Sequence, residues 1–397
     1  MKFIKCKLSE LGEIVGGSTP FTKNESYYGG DIPWLTPKDL ANFNGRYINF
    51  GERNITEAGY KSTSVKMLPI NSVLFSSRAP IGYVAINNKN EVCTNQGFKS
   101  VIPNSKTDYM FLYYLLKYNK NKIEAMGSGS TFKEVSGAVM KNIIVNVPEA
   151  KEDQIKIGKI LSKIDDKIEL NTHTNDNLYK ILEQYIKEHY YNNEFVRNGN
   201  VNDIGKIQGG YAFKSKDLLN ETTNNKVLKI KNISASGVDI DNTQCVYDEV
   251  ADKVDKKFLL LRGNVIIAMT GAELGKTGYL YGQDYRYFLN QRVGVIRGND
   301  KYSELYLNCL FLLKDMQNTL NSKGYGSAQP NISTSDIENI EIPIPKEDEL
   351  ETFYEKCNPI YSKMILNSEQ NQSLTQLRDS LLPKLMNGEI DLDKIEI

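Results

Sequence analysis

Ile157-Gly158-Lys159-Ile160-Leu161-Ser162-Lys163-Ile164-Asp165-Asp166-Lys167-Ile168 lies in a stretch, Glu152 to Tyr191, with no proline and one glycine. Its apolar residues recur at alternating steps of four and three: Ile157, Leu161, Ile164, Ile168, then Leu178, Leu182 and Tyr185. That is a heptad seam, the pattern of a helix packing along another helix. Asn171 and Asn175 occupy seam positions where apolar side chains are expected. A second stretch has the same layout: Leu350, Phe353, Cys357, Ile360, Met364, then Asn367 and Asn371, then Leu374, Leu381 and Leu385. Asn171 and Asn367 are 196 residues apart, as are Asn175 and Asn371. Neither helix can bury its stripe alone, so the two are expected to pair with each other, and a pseudo-dyad between the repeats would make that pair antiparallel. Asn171, Asn175, Asn367 and Asn371 should then meet near the middle and fix the register, at a cost in stability.

The helices separate two similar blocks, and self-similarity on this scale decides the architecture. Leu11-Gly12-Glu13-Ile14-Val15-Gly16-Gly17 matches Ile204-Gly205-Lys206-Ile207-Gln208-Gly209-Gly210. Asn95-Gln96 recurs as Asn290-Gln291, and Gly129-Ser130 as Gly326-Ser327. Asn142 to Pro148 recurs as Asn339 to Pro345. The expected division is a first block over 1–148, a helix over 149–197, a second block over 198–345, and a helix with a tail over 346–397. Each block reads as mixed α and β. Strands are predicted at 72–76, 83–86, 265–267 and 279–281, and helices at 109–119 and 305–320. Asn358-Pro359 should kink the second long helix or split off its first turns. The fold class is therefore α+β with an internal pseudo-twofold repeat.

Composition is that of an ordinary globular chain, with 40% hydrophobic and 25% charged residues. No run of about 18 apolar residues suggests a membrane span, and the first residues lack a signal-peptide core. Five scattered cysteines point to free thiols in a reducing cytosol. Two histidines and no close Cys pair exclude a zinc site of the usual spacing. Formal charge is zero overall but uneven. Residues 1–148 carry 18 Lys/Arg against 11 Asp/Glu, a net of +7, whereas 198–345 carry 17 of each. The two helical segments are acidic, net −2 and −5. A basic block suits a polyanion, and an acidic helix pair suits a protein partner.

Catalytic readings fail on spacing. Gly271-Ala272-Glu273-Leu274-Gly275-Lys276-Thr277 has three residues where a phosphate loop needs four, so it reads as a hairpin turn. Asn358-Pro359-Ile360-Tyr361 lacks the second proline of the adenine-methyltransferase signature, and no glycine loop for S-adenosylmethionine precedes it. A self-contained DNA methyltransferase is thus disfavoured. His173 and His189 lie on or beside the first helix and read as packing or surface residues, with no nucleophile to serve. No metal or cofactor site is expected.

What remains is a matched set of polar and basic loops suited to nucleic acid. Asn, Gln, Arg and Lys can read base edges, while Ser, Thr and Lys hold phosphates. In block one the candidates are Ser18, Thr19, Thr36, Lys38, Ser77, Arg78, Asn95, Gln96, Ser130, Thr131 and Lys133. In block two they are Lys214, Lys229, Lys231, Thr270, Lys276, Gln291, Arg292, Ser327, Gln329 and Asn331.

With these residues in view, the chain resembles the specificity subunit of a type I restriction-modification system over nearly its whole length. The resemblance rests on the duplicated block-then-helix order. It rests too on Gly12-Glu13-Ile14-Val15-Gly16-Gly17-Ser18-Thr19-Pro20, Ser77-Arg78-Ala79-Pro80-Ile81-Gly82, Gly129-Ser130-Thr131, Glu152-Asp153-Gln154 and the closing Leu381-Leu382-Pro383-Lys384-Leu385-Met386-Asn387-Gly388-Glu389-Ile390. Block two departs from it, with Gly210-Tyr211-Ala212-Phe213 and Gly326-Ser327-Ala328-Gln329. The resemblance implies that each block reads half of a bipartite duplex DNA site. It implies that the helices form an antiparallel coiled coil that sets the spacer and docks two methyltransferase subunits. Endonuclease/translocase subunits join through these. Catalysis and the need for S-adenosylmethionine, ATP and magnesium would belong to those partners. An orphan or phase-variable subunit serving a methyltransferase alone is the alternative.

Overall fold

Heptad periodicity becomes two continuous helices, Lys151–Ile186 and Glu347–Met386, the first passing into a π-helical turn at Lys187–Tyr191. The computed structural model describes residues 1–41, 43, 45–129, 133–193, 196–234, 237–324 and 330–392. The chain forms two compact units, Met1–Glu169 with Leu374–Ile397, and Leu170–Ser373. Each unit therefore takes a portion of both long helices.

In the first unit a four-stranded antiparallel sheet has the order Gly12–Gly16, Lys99–Pro103, Val73–Ser77, Ile81–Ile86. Phe3–Lys7 pairs antiparallel with Ile144–Pro148, and Trp34–Leu35 pairs parallel with Cys93–Thr94. Tyr109–Tyr118 packs on the sheet through Phe111, Leu112, Leu115 and Leu116, which share a core with Ile157, Leu161 and Leu385. Asp108 caps that helix by accepting a bond from the Phe111 N–H at 2.8 Å. Gln154 ties the long helix to it, accepting from the Asp108 N–H at 3.0 Å and donating to the Pro148 carbonyl at 3.1 Å. Within this unit the helices run antiparallel. The Arg378 guanidinium bonds Asp165 at 2.8 Å, and Asp165 also accepts from the Tyr114 hydroxyl at 2.6 Å.

The second unit repeats the plan. Its main sheet runs Gly205–Gly209, Val293–Gly298, Val265–Ala268, Thr277–Tyr279, and Arg197–Asn200 pairs with Glu341–Ile344. Asn225–Leu228 pairs parallel with Arg286–Leu289, the counterpart of Trp34–Leu35 with Cys93–Thr94. The core is aromatic where the helices meet. Fully buried Phe353 lies within 6 Å of the rings of Tyr185, Tyr190 and Tyr306. Truncating such a ring costs roughly 3–5 kcal/mol.

Several expectations change. Pro359 does not split the first turns from its helix, which is continuous through it. The missing N–H costs one bond, and the flanking Cys357 and Tyr361 are buried in the core. The helix expected over 305–320 is two, Lys301–Leu312 and Lys314–Lys323. Leu313 between them is extended and buried, because its side chain fills the core. The strand expected at 279–281 is Thr277–Tyr279. On the seam, Ile157, Leu161 and Leu182 are buried, while Ile164, Ile168, Leu178 and Tyr185 are half-buried. His189 is exposed and stacks on Tyr185, with ring centroids 4.0 Å apart.

Candidate nucleic-acid interface

The doubled Gly-Gly of each block marks a close backbone approach. A side chain on Gly17 would meet the Asn95 carbonyl at 2.1 Å, and one on Gly210 would meet that of Asn290 at 2.0 Å. Glycine is required at both places because only bare backbone fits.

Around each crossing the two units build the same frame of backbone bonds. Ser18 N–H donates to Thr94 at 2.9 Å, as Tyr211 does to Leu289 at 2.8 Å. Asn95 N–H reaches Leu35 at 2.9 Å, as Asn290 reaches Leu228 at 3.1 Å. Ser77 N–H reaches Gly97 at 2.7 Å, as Met269 reaches Arg292 at 3.1 Å. Val135 N–H reaches Ser77 at 3.0 Å, as Ile332 reaches Met269 at 3.0 Å. Five segments distant in sequence converge in each unit, and they carry most of the polar loops singled out above.

In the first unit the Thr19 hydroxyl bonds the Gln96 side chain. The Trp34 indole donates to the Ser18 carbonyl at 3.0 Å. Thr36 caps a one-turn helix, Pro37–Leu40, through Asp39, and this turn carries Lys38 into solvent. Lys38 pairs with Glu52 at 2.7 Å, and that hydrogen bond holds its pKa above the ordinary lysine value. Arg78 faces Glu134 at 3.4 Å, and Lys99 faces the same carboxylate at 3.3 Å. Lys133 is exposed, with no ion pair among the described residues. Asn95 uses its side-chain oxygen on the Gly97 N–H at 2.8 Å, which shapes the turn. Ser77 is a correction: it is fully buried, its hydroxyl donates to the Gly97 carbonyl at 3.1 Å, and it cannot face a ligand. It ends a strand whose residues are all buried, so a polar pair in the sequence concealed an inward-pointing first member. Ser130 and Thr131 lie outside the described residues.

In the second unit Lys231 takes the place of Lys38 on a one-turn helix, Ile230–Asn232, capped by Asn232. Lys229 bonds Gln244, and burial with the nearby Lys231 charge lowers its pKa. Thr270 donates to the Pro330 carbonyl at 3.1 Å and bridges Asn331, just as Arg78 bridges Glu134. Gln291, Arg292 and Asn331 are exposed. Lys214 is exposed in the loop after Tyr211. Lys276 lies in the hairpin turn, where its side chain pairs with Glu273 at 2.7 Å and its carbonyl accepts from the Ala268 N–H at 2.8 Å. Ser327 and Gln329 lie outside the described residues. Sequence reasoning passed over Lys99 and Glu134, although each sits within four residues of a chosen loop residue.

Among the described residues no cluster of three His, Cys, Asp or Glu could hold a metal, and no helix is long and apolar enough to cross a membrane. All five cysteines are free and buried. Burial pushes the thiols of Cys93 and Cys357 up to about 12, far from nucleophilic range.

The duplicated α+β scaffold thus assembles polar and basic loops twice on one backbone frame. The family described as type I restriction modification DNA specificity domain matches residues 2–180 and again 193–376. The chain belongs to that family. It is 35% identical to the type I restriction enzyme MjaIX specificity subunit of Methanocaldococcus jannaschii, covering 98% of this chain and 94% of that one. It is 23% identical to the HindI specificity subunit of Haemophilus influenzae, over 98% and 92%. The crystal structure of the type I S subunit from M. genitalium shares the fold, with a TM-score of 0.60 at 19% identity over 97% and 96% of the two chains. Membership makes the chain a DNA-recognition component of a restriction-modification complex, and not a catalyst.

Proposed function

We propose that each unit reads one half of a bipartite duplex site through its frame of loops. The observation that carries this is the frame itself, built twice with the same backbone bonds and different side chains. A scaffold that keeps its backbone and varies its presented groups is suited to reading two different short sequences. The paired helices set the number of unread base pairs and dock two methyltransferase subunits, through which endonuclease/translocase subunits join. Support comes from helix length, 36 and 40 residues, or roughly 54 and 60 Å at about 1.5 Å per residue. The free cysteines suit a cytoplasmic complex.

The test is selection of randomised duplexes by the full-length chain, followed by sequencing. Two short motifs at a fixed separation are expected. One contiguous motif, or no enrichment, would overturn the reading. Adding seven residues to each helix, after Ile168 and before Asn367, should retain both motifs and lengthen the gap by roughly three base pairs. Recovery of the original gap at full affinity would show that the helices do not set it.

A further inference from the structure

Arginine is the side chain best matched to guanine, because its fork donates two parallel N–H bonds to O6 and N7 in the major groove. The chain has nine arginines, and the structure accounts for seven of them. Arg46 is bound by Asp166 and Glu169, Arg78 by Glu134, and Arg197 by Asp203. Arg262 pairs with Glu369, Arg286 with Asp248 and Asp252, and Arg378 with Asp165 and Asp379. Arg297 donates to Asn264 at 2.7 Å and to the Leu259 carbonyl at 2.9 Å. Two guanidiniums have no hydrogen bond or ion pair among the described residues: Arg53 in the first unit and Arg292 in the second.

Both stand beside the frame. Arg53 is exposed, and its guanidinium lies over the Tyr28 ring, 4.2 Å from the centroid. Stacking of this kind orients the fork without using its donors. The Tyr28 hydroxyl donates to the Pro20 carbonyl at 2.8 Å, and its ring meets Trp34 edge-on at 5.9 Å. On the other side, the Glu52 N–H donates at 2.7 Å to Asp39, which caps the turn bearing Lys38. Arg53 and Tyr28 line a cleft of about 590 Å³ together with Gly29 and Gly30. Arg292 occupies the place that Gly97 fills in the first unit, since both carbonyls accept the same frame bond. Each unit thus supplies one uncommitted fork, at a different point of its frame.

We infer that Arg53 and Arg292 are guanine-reading residues, one for each half-site. This rests on the proposed bipartite reading. Duplex selection with the full-length chain tests it, comparing wild type with Arg53→Gln and Arg292→Gln. Both side chains are exposed, so the variants should melt like wild type. Arg53→Gln should lose preference for one G·C pair in one motif, by roughly ten- to hundredfold, with the other motif intact. Arg292→Gln should do the reverse. A uniform loss across all sequences with a flatter salt dependence would mean phosphate contact and overturn the assignment. Lower melting with an unchanged motif would mean a structural role and overturn it too. If wild type selects a bipartite motif that neither variant alters, the arginine assignment alone fails. If wild type selects no bipartite motif, the reading beneath it fails first.

Discussion

The two frames share their backbone and differ in charge. In the first, Glu134 sits between Arg78 and Lys99, so one carboxylate offsets two cations. In the second, strand register puts Gly294 where Lys99 stands, since Gly16 pairs with Lys99 and Gly209 with Gly294. Thr270 replaces Arg78, Asn331 replaces Glu134, and Arg292 replaces Gly97. The strands, the glycine crossings and the capped turns bearing Lys38 and Lys231 are kept. What must pack or cross closely is therefore fixed twice, and what faces solvent is free to diverge. On the proposed reading, this lets one scaffold hold two specificities.

The largest effect should come from exchanging a whole frame. Replacing residues 198–345 by the second block of another family member should exchange one motif and leave the other. Affinity for the original site should fall roughly a thousandfold or more, the usual gap between specific and nonspecific binding. If selected sequences changed in both motifs, the frames would not read independently.

Next comes the way each unit closes its helix pair. The first unit uses an ion pair between buried Asp165 and half-buried Arg378: burial works against the charge of Arg378, and the bond to Asp165 outweighs it. Burial and the Asp165 charge together raise the pKa of Tyr114, keeping its hydroxyl a donor to that carboxylate. At the positions 196 residues away the second unit has buried Tyr361 and Leu182 instead. Asp165→Ala should cost about 3 kcal/mol, because it strands Arg378 and the Tyr114 hydroxyl. Asp165→Leu with Arg378→Leu, which copies the apolar solution, should recover much of the loss. Chemical denaturation measures both; equal losses for the single and double variants would deny that the pair acts as one unit.

The architecture was legible because it rests on period and repetition, which sequence displays directly. Heptad spacing located the long helices, and the Gly-Gly and Asn-Gln phrases located the frames. Context hid other features. Nothing local to Leu313 predicts a break, since its extended backbone is selected by the core it fills. Ser77 resembled its neighbour Arg78, but the strand turns one inward and the other out. Arg53 belongs to no motif. It becomes visible only when Tyr28 is seen beneath it and seven of the other eight arginines are found committed.

A smaller effect tests the charge difference between frames. Asn331→Glu would place in the second unit the carboxylate that Glu134 provides in the first, near Arg292. Glu134→Gln would remove it from the first, releasing Arg78 and Lys99. On exposed groups such changes are worth roughly 1 kcal/mol or less. Affinity for a nonspecific duplex should fall a few-fold in the first variant and rise a few-fold in the second. Both shifts should shrink as salt is raised. Salt-independent shifts would mean that the substitutions act through packing.

The smallest net effect should come from the seam asparagines, where the pattern of bonds gives the sign. Asn171 donates to Asn371 at 2.9 Å, and Asn367 donates to Asn175 at 2.8 Å. The offset of 196 turns the first bond into the second, donor to donor and acceptor to acceptor. Asn171 and Asn367 are 2% and 1% exposed, so neither can turn to water for a partner. Asn175 has further acceptors for its N–H groups in the Met364 carbonyl and the Ser368 hydroxyl, at 3.0 and 3.3 Å. Its carbonyl oxygen has Asn367. Asn367→Leu alone should therefore destabilise by about 1 kcal/mol, since it leaves the oxygen of a partly buried amide unmatched. Replacing all four with Leu removes donors and acceptors together and extends the apolar seam, so the melting temperature should rise by a few degrees. The amides meet only in one alignment, whereas leucines pack acceptably in several. Hydrogen exchange along 170–186 and 347–373 should accordingly become less uniform even as the protein melts later. A quadruple variant that melts below the single one would place these amides in a network that must stay polar, and the register role would have to be abandoned.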